Sequence, residues 1–200
     1  MTYTYLALGD SYTIGEALLP AENFPSQVVH ILRNEGFDFS APEIIAKTGW
    51  TTNDLQNAIE QYHFRPSYDF VTLLIGVNNQ YRGGKTDEYR SEFENLLKQA
   101  IQFTDGKNKR VIVLSIPDWG VTSFAKDRDK KKISKEIEAY NIINKIIAEK
   151  FKVNYIDITP GTKGAANDPD LLAADGLHPS AKEYFRWAKK TASVFKQQLK

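Results

Sequence analysis

Ser11 is the first serine of the chain, and it sits in the stretch LALGDSYTIGE, where a short apolar run gives way to Gly9, Asp10 and a turn. A serine hydroxyl is inert until a base takes its proton. Cleaving an ester also needs a group that orients the base and donors for the developing oxyanion. The chain has three histidines. His30 falls within an amphipathic stretch, and His63 closes another just before Phe64-Arg65-Pro66. His178 lies in DGLHPS, close to the C-terminus. Asp175 precedes His178 by three residues, a spacing at which a turn can bring the carboxylate onto Nδ1 and leave Nε2 facing a nucleophile. Gly176 eases such a turn, and Pro179 fixes the exit into a following helix. Each segment also has a plainer reading. Asp-Gly is a common turn dipeptide, His-Pro-Ser before a helix can be capping chemistry, and Gly9-Asp10-Ser11 can be a turn and nothing more.

These residues need elements to hold them. Apolar runs, several of them β-branched, occur at Tyr3 to Leu8, Glu43 to Ala46, Phe70 to Ile75, Val111 to Ile116 and Val153 to Ile158. Runs that are apolar on both faces are expected of strands covered by helices on both sides. Between them lie helical patterns. FPSQVVHILRNEG carries Pro25 near its start and Gly36 as a stop. Asn53 to Tyr62 follows two threonines that can cap it. Tyr89, Phe93, Leu96, Leu97 and Ala100 recur at helical spacing, as do Ile133, Ile137, Tyr140 and Ile147. In the last helix Ser180 and Glu183 have capping-box spacing. Strand and helix alternate without repeat, linker or low-complexity tract, so residues 1–200 are expected to form one α/β domain around a five-stranded parallel sheet.

Ligands of such sheets sit outside the carboxyl ends of the strands. The expected strand ends carry Gly9-Asp10-Ser11, then Lys47-Thr48-Gly49-Trp50, then Gly76-Val77-Asn78-Asn79, then Pro117-Asp118-Trp119. The fifth leads into Asp175 to Ser180. Taken in order, these blocks resemble the SGNH hydrolases, also called GDSL-type esterases and lipases. The first family block, Gly-Asp-Ser-Leu, is carried by Gly9-Asp10-Ser11-Tyr12, and the glycine of the second by Gly49. The third, Gly-x-Asn-Asp, is matched by Gly76 to Asn79. The last, Asp-x-x-His-Pro, is matched by Asp175 to Pro179.

The resemblance implies a flavodoxin-like three-layer α/β/α sandwich and a serine esterase that works through an acyl-enzyme. In that scheme Ser11 is the nucleophile, His178 the base and then the acid, and Asp175 the group that orients it. The oxyanion hole takes the backbone N–H groups of Ser11 and Gly49 and the side-chain amide of Asn78. No metal or organic cofactor is implied. Two residues depart from the pattern. Tyr12 replaces the leucine beside the nucleophile, and Asn79 replaces an aspartate, removing any loop ordering that depended on a carboxylate there.

Tyr12, Trp50 and Tyr81 are the candidate substrate-binding residues, and Arg82 and Trp119 also fall just beyond strand ends. The loops near the site are compact, with no long apolar segment to cover a fatty chain and no basic amphipathic segment for a lipid surface. These features point to short acyl esters or acetylated carbohydrates. A lysophospholipase or acyl-thioesterase is the alternative, and a non-catalytic ligand-binding module on the same fold is an alternative of another class. Gly84-Lys85-Thr86 resembles the tail of a phosphate-binding loop, but Asn79 stands where the first glycine of that motif belongs. Thr86 is instead expected to cap the following helix.

Composition removes several classes of partner, and the resemblance implies a small-molecule ester as the substrate. A net charge of +1 gives no electrostatic case for nucleic acid or an acidic membrane surface. The absence of cysteine excludes disulfides, thiolate catalysis and cysteine-based zinc sites. No apolar run reaches the roughly 18 residues of a membrane helix, so stable membrane insertion is not expected. The opening MTYTYLALGDS has no basic stretch and no long apolar core. It reads as a strand, and a cytoplasmic protein is the expectation; a secreted or periplasmic chain relieved of its leader would look the same.

Overall fold

The structure is a computed structural model that describes residues 2–199. Five strands form one parallel sheet: β1 (Tyr5–Asp10), β2 (Glu43–Lys47), β3 (Phe70–Leu74), β4 (Val111–Leu114) and β5 (Asn154–Ile156). Their order is β2-β1-β3-β4-β5. β1 to β4 are the longer strands, and β5 pairs with β4 at the edge of the sheet.

Among the described residues eight α-helices connect them: α1 (Ser11–Ile14), α2 (Phe24–Asn34), α3 (Thr52–Gln61), α4 (Val77–Tyr81), α5 (Thr86–Gln102), α6 (Lys130–Lys150), α7 (Thr159–Thr162) and α8 (Ala181–Gln198). The long helices form two layers. α2 packs against α8, and α3, α5 and α6 pack side by side. The result is the expected α/β/α sandwich. Phe24, Val28, Leu32, Trp187 and Phe195 are buried on the first layer, and Phe93, Leu96, Leu97, Ile137 and Ile147 on the second. Among the described residues no helix is long and apolar enough to cross a membrane.

The strand order reverses direction at β1. From β1 the chain passes outward to β2, then returns across β1 to β3. A crevice forms at such a switch point, at the carboxyl ends of the strands. β1 delivers Ser11 into the middle of it, β2 delivers Gly49 on one flank, and β3 delivers Asn78 on the other.

Several local expectations are corrected. β1 runs two residues further than its apolar stretch, because Gly9 and Asp10 pair with Ala46 and Lys47 of β2 while Gly9 also pairs with Leu74 of β3. β5 is shorter than expected, since its residues pair only with Ile112 to Leu114. Thr86 is the first residue of α5 rather than its cap, and Lys85 at the cap position makes no side-chain capping bond. Ser180 and Glu183 do not form a capping box. The Ser180 hydroxyl donates to the Asp170 carbonyl, and the Glu183 carboxylate accepts from Trp187 Nε1 and Arg186. The capping box does occur at α3. Thr51 Oγ1 accepts from the Asp54 N–H, and the Asp54 carboxylate accepts from the Thr51 N–H.

Candidate active site

β1 ends in a buried carboxyl group. Asp10 caps α1 by accepting from the Tyr12 N–H at 3.0 Å, and its second oxygen has no partner among the described residues. Burial pushes its carboxyl up to about 7, against the smaller opposing pull of backbone donors at Tyr12 and at Asp10 itself. The cap sets Ser11 as the first helical residue, where its N–H has no intrahelical acceptor.

His178 and Ser11 lie 167 positions apart in sequence, and the fold brings them together: His178 Nε2 is 2.9 Å from Ser11 Oγ. On its other side His178 Nδ1 is 2.6 Å from Asp175 Oδ2. An ionised carboxylate only accepts, so Nδ1 carries a proton toward Asp175, and in the neutral ring Nε2 is left to accept from the serine hydroxyl. Asp175 is itself fixed by the turn. Its Oδ1 accepts from the N–H groups of Leu177 and His178 at 2.9 and 3.0 Å. Burial raises the Asp175 carboxyl, but these donors and the His178 side chain outweigh it and hold the group below the usual range.

The loop that carries this pair is closed at both ends. Ala173 donates to the His178 carbonyl at 2.7 Å, and Ser180 donates to Leu171 at 2.9 Å. The Gly176 carbonyl accepts from Ser123 Oγ and from the Phe124 N–H. Ser11 is 5% exposed and His178 6%, so the pair is shielded yet reachable from the crevice. The other two histidines stand elsewhere. His30 is exposed on α2 beside Asn34, and His63 is exposed beyond the end of α3.

The two remaining donor candidates are tied to each other. Gly49 sits at φ +82°, a left-handed turn that favours glycine. Asn78, on α4, donates one amide proton to the Trp50 carbonyl at 2.9 Å. Its second proton has no protein acceptor among the described residues, nor has the Gly49 N–H. Gly76 stands at the N-cap of α4, with φ +127°, where a Cβ would lie 2.5 Å from the Tyr89 hydroxyl. Arg82, one turn beyond Asn78, donates to the Gly49 carbonyl at 2.7 Å and is paired with Asp54 at 3.6 Å. Arg82 therefore clamps the glycine turn, a contact with no local signal in the sequence.

Tyr12 is corrected as a substrate-binding candidate. It is 2% exposed, and its ring stands 5.3 Å from the His178 ring, in front of Trp187. It backs the imidazole from inside the protein instead of lining an open cleft. Burial, and then the charges of Asp10, Asp175 and Asp118, keep its phenol protonated. Trp50 is half-buried and packs on the core, presenting its carbonyl to Asn78. Tyr81 is 47% exposed on α4, and its ring meets Trp119 at 5.4 Å. Trp119 in turn meets Phe124 at 6.0 Å and donates from Nε1 to Gln80. Phe124, 45% exposed, was not expected from the sequence. The aromatic row thus runs from the helix of Asn78 to the loop of His178. A cavity of about 660 Å³ lies along α6 and β5, and Ser11 is not among the residues that line it.

Comparison with known proteins agrees with this architecture. The family model described as GDSL-like Lipase/Acylhydrolase family matches residues 7–184. No curated protein matches the sequence. Among solved structures the chain is similar to the acetylxylan esterase Axe2 from Geobacillus stearothermophilus. The TM-score is 0.75 at 19% identity, with 96% of this chain and 94% of that one covered. It is also similar to a lipase/acylhydrolase from Enterococcus faecalis, with a TM-score of 0.74 at 20% identity over 98% and 96%. The psychrotrophic esterase EstA from Pseudoalteromonas sp., in a form inhibited by monoethylphosphonate, gives 0.70 at 18% identity over 98% of each chain. At these identities the structural likeness speaks for the fold.

Proposed function

We propose, for a chain that belongs to the GDSL-like lipase/acylhydrolase family and hydrolyses ester bonds, that Ser11, His178 and Asp175 form its catalytic triad. Residues 1–200 act as one hydrolase domain built on the single sheet. The observation that carries the triad is the continuous relay of 2.9 and 2.6 Å from Ser11 through His178 to Asp175.

The chemistry follows from the donors and acceptors present. Ser11 Oγ attacks the acyl carbon as its proton passes to His178 Nε2. The resulting imidazolium is stabilised by the Asp175 carboxylate. Negative charge on the carbonyl oxygen is met by the Ser11 and Gly49 N–H groups and the free proton of the Asn78 amide. His178 then protonates the departing alcohol, leaving an acyl-serine. A water molecule, deprotonated by His178, attacks that ester and releases the acid.

The substrate is a small soluble ester with a short acyl group, and acetylated carbohydrate is the favoured class. Supporting this are the exposed rings of Tyr81 and Phe124, which the buried Trp119 joins into one row, since exposed rings offer flat apolar faces to a sugar. The acetylxylan activity named for the structural neighbour Axe2 points the same way. The test is turnover of p-nitrophenyl acetate by Ser11→Ala and His178→Ala. Each loses about 10⁴-fold or more in kcat while remaining folded. A folded Ser11→Ala enzyme with substantial activity would remove Ser11 from this role.

A further inference from the structure

The aspartate that family resemblance leads one to expect at position 79 is absent, yet the loop it would order is fully bonded. Asn79 Oδ1 accepts from the Thr52 N–H at 3.1 Å, and Asn79 Nδ2 donates to Thr52 Oγ1 at 2.6 Å. A carboxylate is present, but it comes from α5. Glu92 Oε2 accepts from the Thr52 hydroxyl and, at 3.4 Å, from Asn79 Nδ2. Its other oxygen accepts from Asn53 Nδ2 at 3.0 Å.

We propose that Glu92 is a positioning residue for the oxyanion hole, and that Asn79 and Glu92 are one device in which the carboxylate has moved from α4 to α5. The proposal rests on the reading of Gly49 and Asn78 as oxyanion donors. Those two donors belong to different segments, the β2–α3 turn and α4. They are joined directly by the bond from Asn78 to the Trp50 carbonyl. A little further along each segment, Asn79 is joined to Thr52, and Glu92 locks that second joint from outside. α5 is a firm anchor, because Tyr89, Phe93 and Leu96 bury the helix in the core on either side of Glu92. Thr52 at the joint is itself fully buried.

Charge explains why the two positions belong together. An aspartate at position 79 would set a second carboxylate oxygen where the Asn79 amide now faces Glu92. Two like charges would then share one small site around the Thr52 hydroxyl. The amide at position 79 supplies the donor that Glu92 needs, while still accepting from the Thr52 N–H.

The experiment is a double-mutant cycle of Asn79→Asp, Glu92→Gln and the pair, with kcat and KM measured on p-nitrophenyl acetate per folded molecule and thermal midpoints recorded alongside. Asn78→Ala serves as the reference. Asn79→Asp is expected to lower kcat about tenfold or more with little change in KM, because displaced donors weaken only the transition state. Glu92→Gln is expected to lower kcat less. The pair is expected to recover most of the loss, since the carboxylate introduced at position 79 can accept from Thr52 and from the amide introduced at position 92. Unchanged kcat in both single variants, or losses that multiply in the pair, would overturn the proposal. If Asn79→Asp fails to fold, Glu92→Ala decides. A lower thermal midpoint with parental kcat per folded molecule would make Glu92 a scaffold residue only, and a lowered kcat at unchanged KM would sustain its positioning role. Parental kcat in Asn78→Ala would instead bring down the underlying reading. A lowered kcat in Asn78→Ala beside parental kcat in every Asn79 and Glu92 variant would defeat this inference alone.

Discussion

In the proposed oxyanion hole Asn78 offers one proton of an amide whose other proton is spent on Trp50. Replacing it with alanine removes both the donor and the tie to the Gly49 turn. Asn78→Ala should therefore lower kcat by the equivalent of about 3 kcal/mol, the usual cost of one oxyanion donor. KM should change much less, and a variant whose only defect is a raised KM would make Asn78 a binding residue. The positions of these candidates were legible in the sequence because they follow strand ends, and the resemblance to the GDSL-type hydrolases supplied the roles expected of them. Asp175 and His178 share one turn, and Ser11, Gly49 and Asn78 each follow a strand at the switch point. The residues that hold them were not legible. Arg82 reaches Gly49, Glu92 reaches Thr52, and Phe124 reaches Gly176 across the fold, so nothing in local spacing marks any of these pairs. Tyr12 was misplaced for a related reason. Its position beside Ser11 is sequence information, whereas its direction into the core is set by Trp187 and His178.

At the scale of elements, the short pieces matter most and are hardest to read. α1, α4 and α7 span four or five residues each, too few for hydrophobic periodicity, yet α1 and α4 carry Ser11 and Asn78. The long helices and the strand interiors were readable because their apolar spacing is sustained. Their ends were not, as Gly9 and Asp10 illustrate: they pair as strand without apolar side chains. The cap of α1 has a consequence for stability. The Asp10 carboxyl is raised by burial from an ordinary value near 3.8 to about 7 in the folded protein. Between those limits the folded state holds a proton that the unfolded chain has released, so this group makes stability fall as pH rises from about 4 to 7. Asp10→Asn keeps a cap oxygen for the Tyr12 N–H and removes the titration. The stability of the variant relative to the parent should rise across that window and level off above it, as read from urea midpoints at a series of pH values. Parallel curves for the two proteins would show that Asp10 does not titrate in this range.

The whole molecule decides how much substrate the site can take. Among the described residues one sheet and its flanking helices make up the fold with no separate lid domain, and the aromatic row runs from α4 to the loop of His178. kcat/KM for p-nitrophenyl esters below their micelle concentrations should accordingly be highest at acetate or butyrate and decline by octanoate and palmitate. A maximum at octanoate or longer would favour the lysophospholipase or thioesterase reading. The reactivity proposed for Ser11 is likewise a property of the entire fold, since its proposed base, His178, lies 167 positions away in sequence. That makes a serine-directed phosphonate the most direct probe of the central claim, with intact mass and peptide mapping as the readout. The account predicts a single adduct per folded molecule, located on Ser11, and none on His178→Ala or on the unfolded chain over the same time. An adduct on another serine, or equal labelling of Ser11 in His178→Ala, would contradict it.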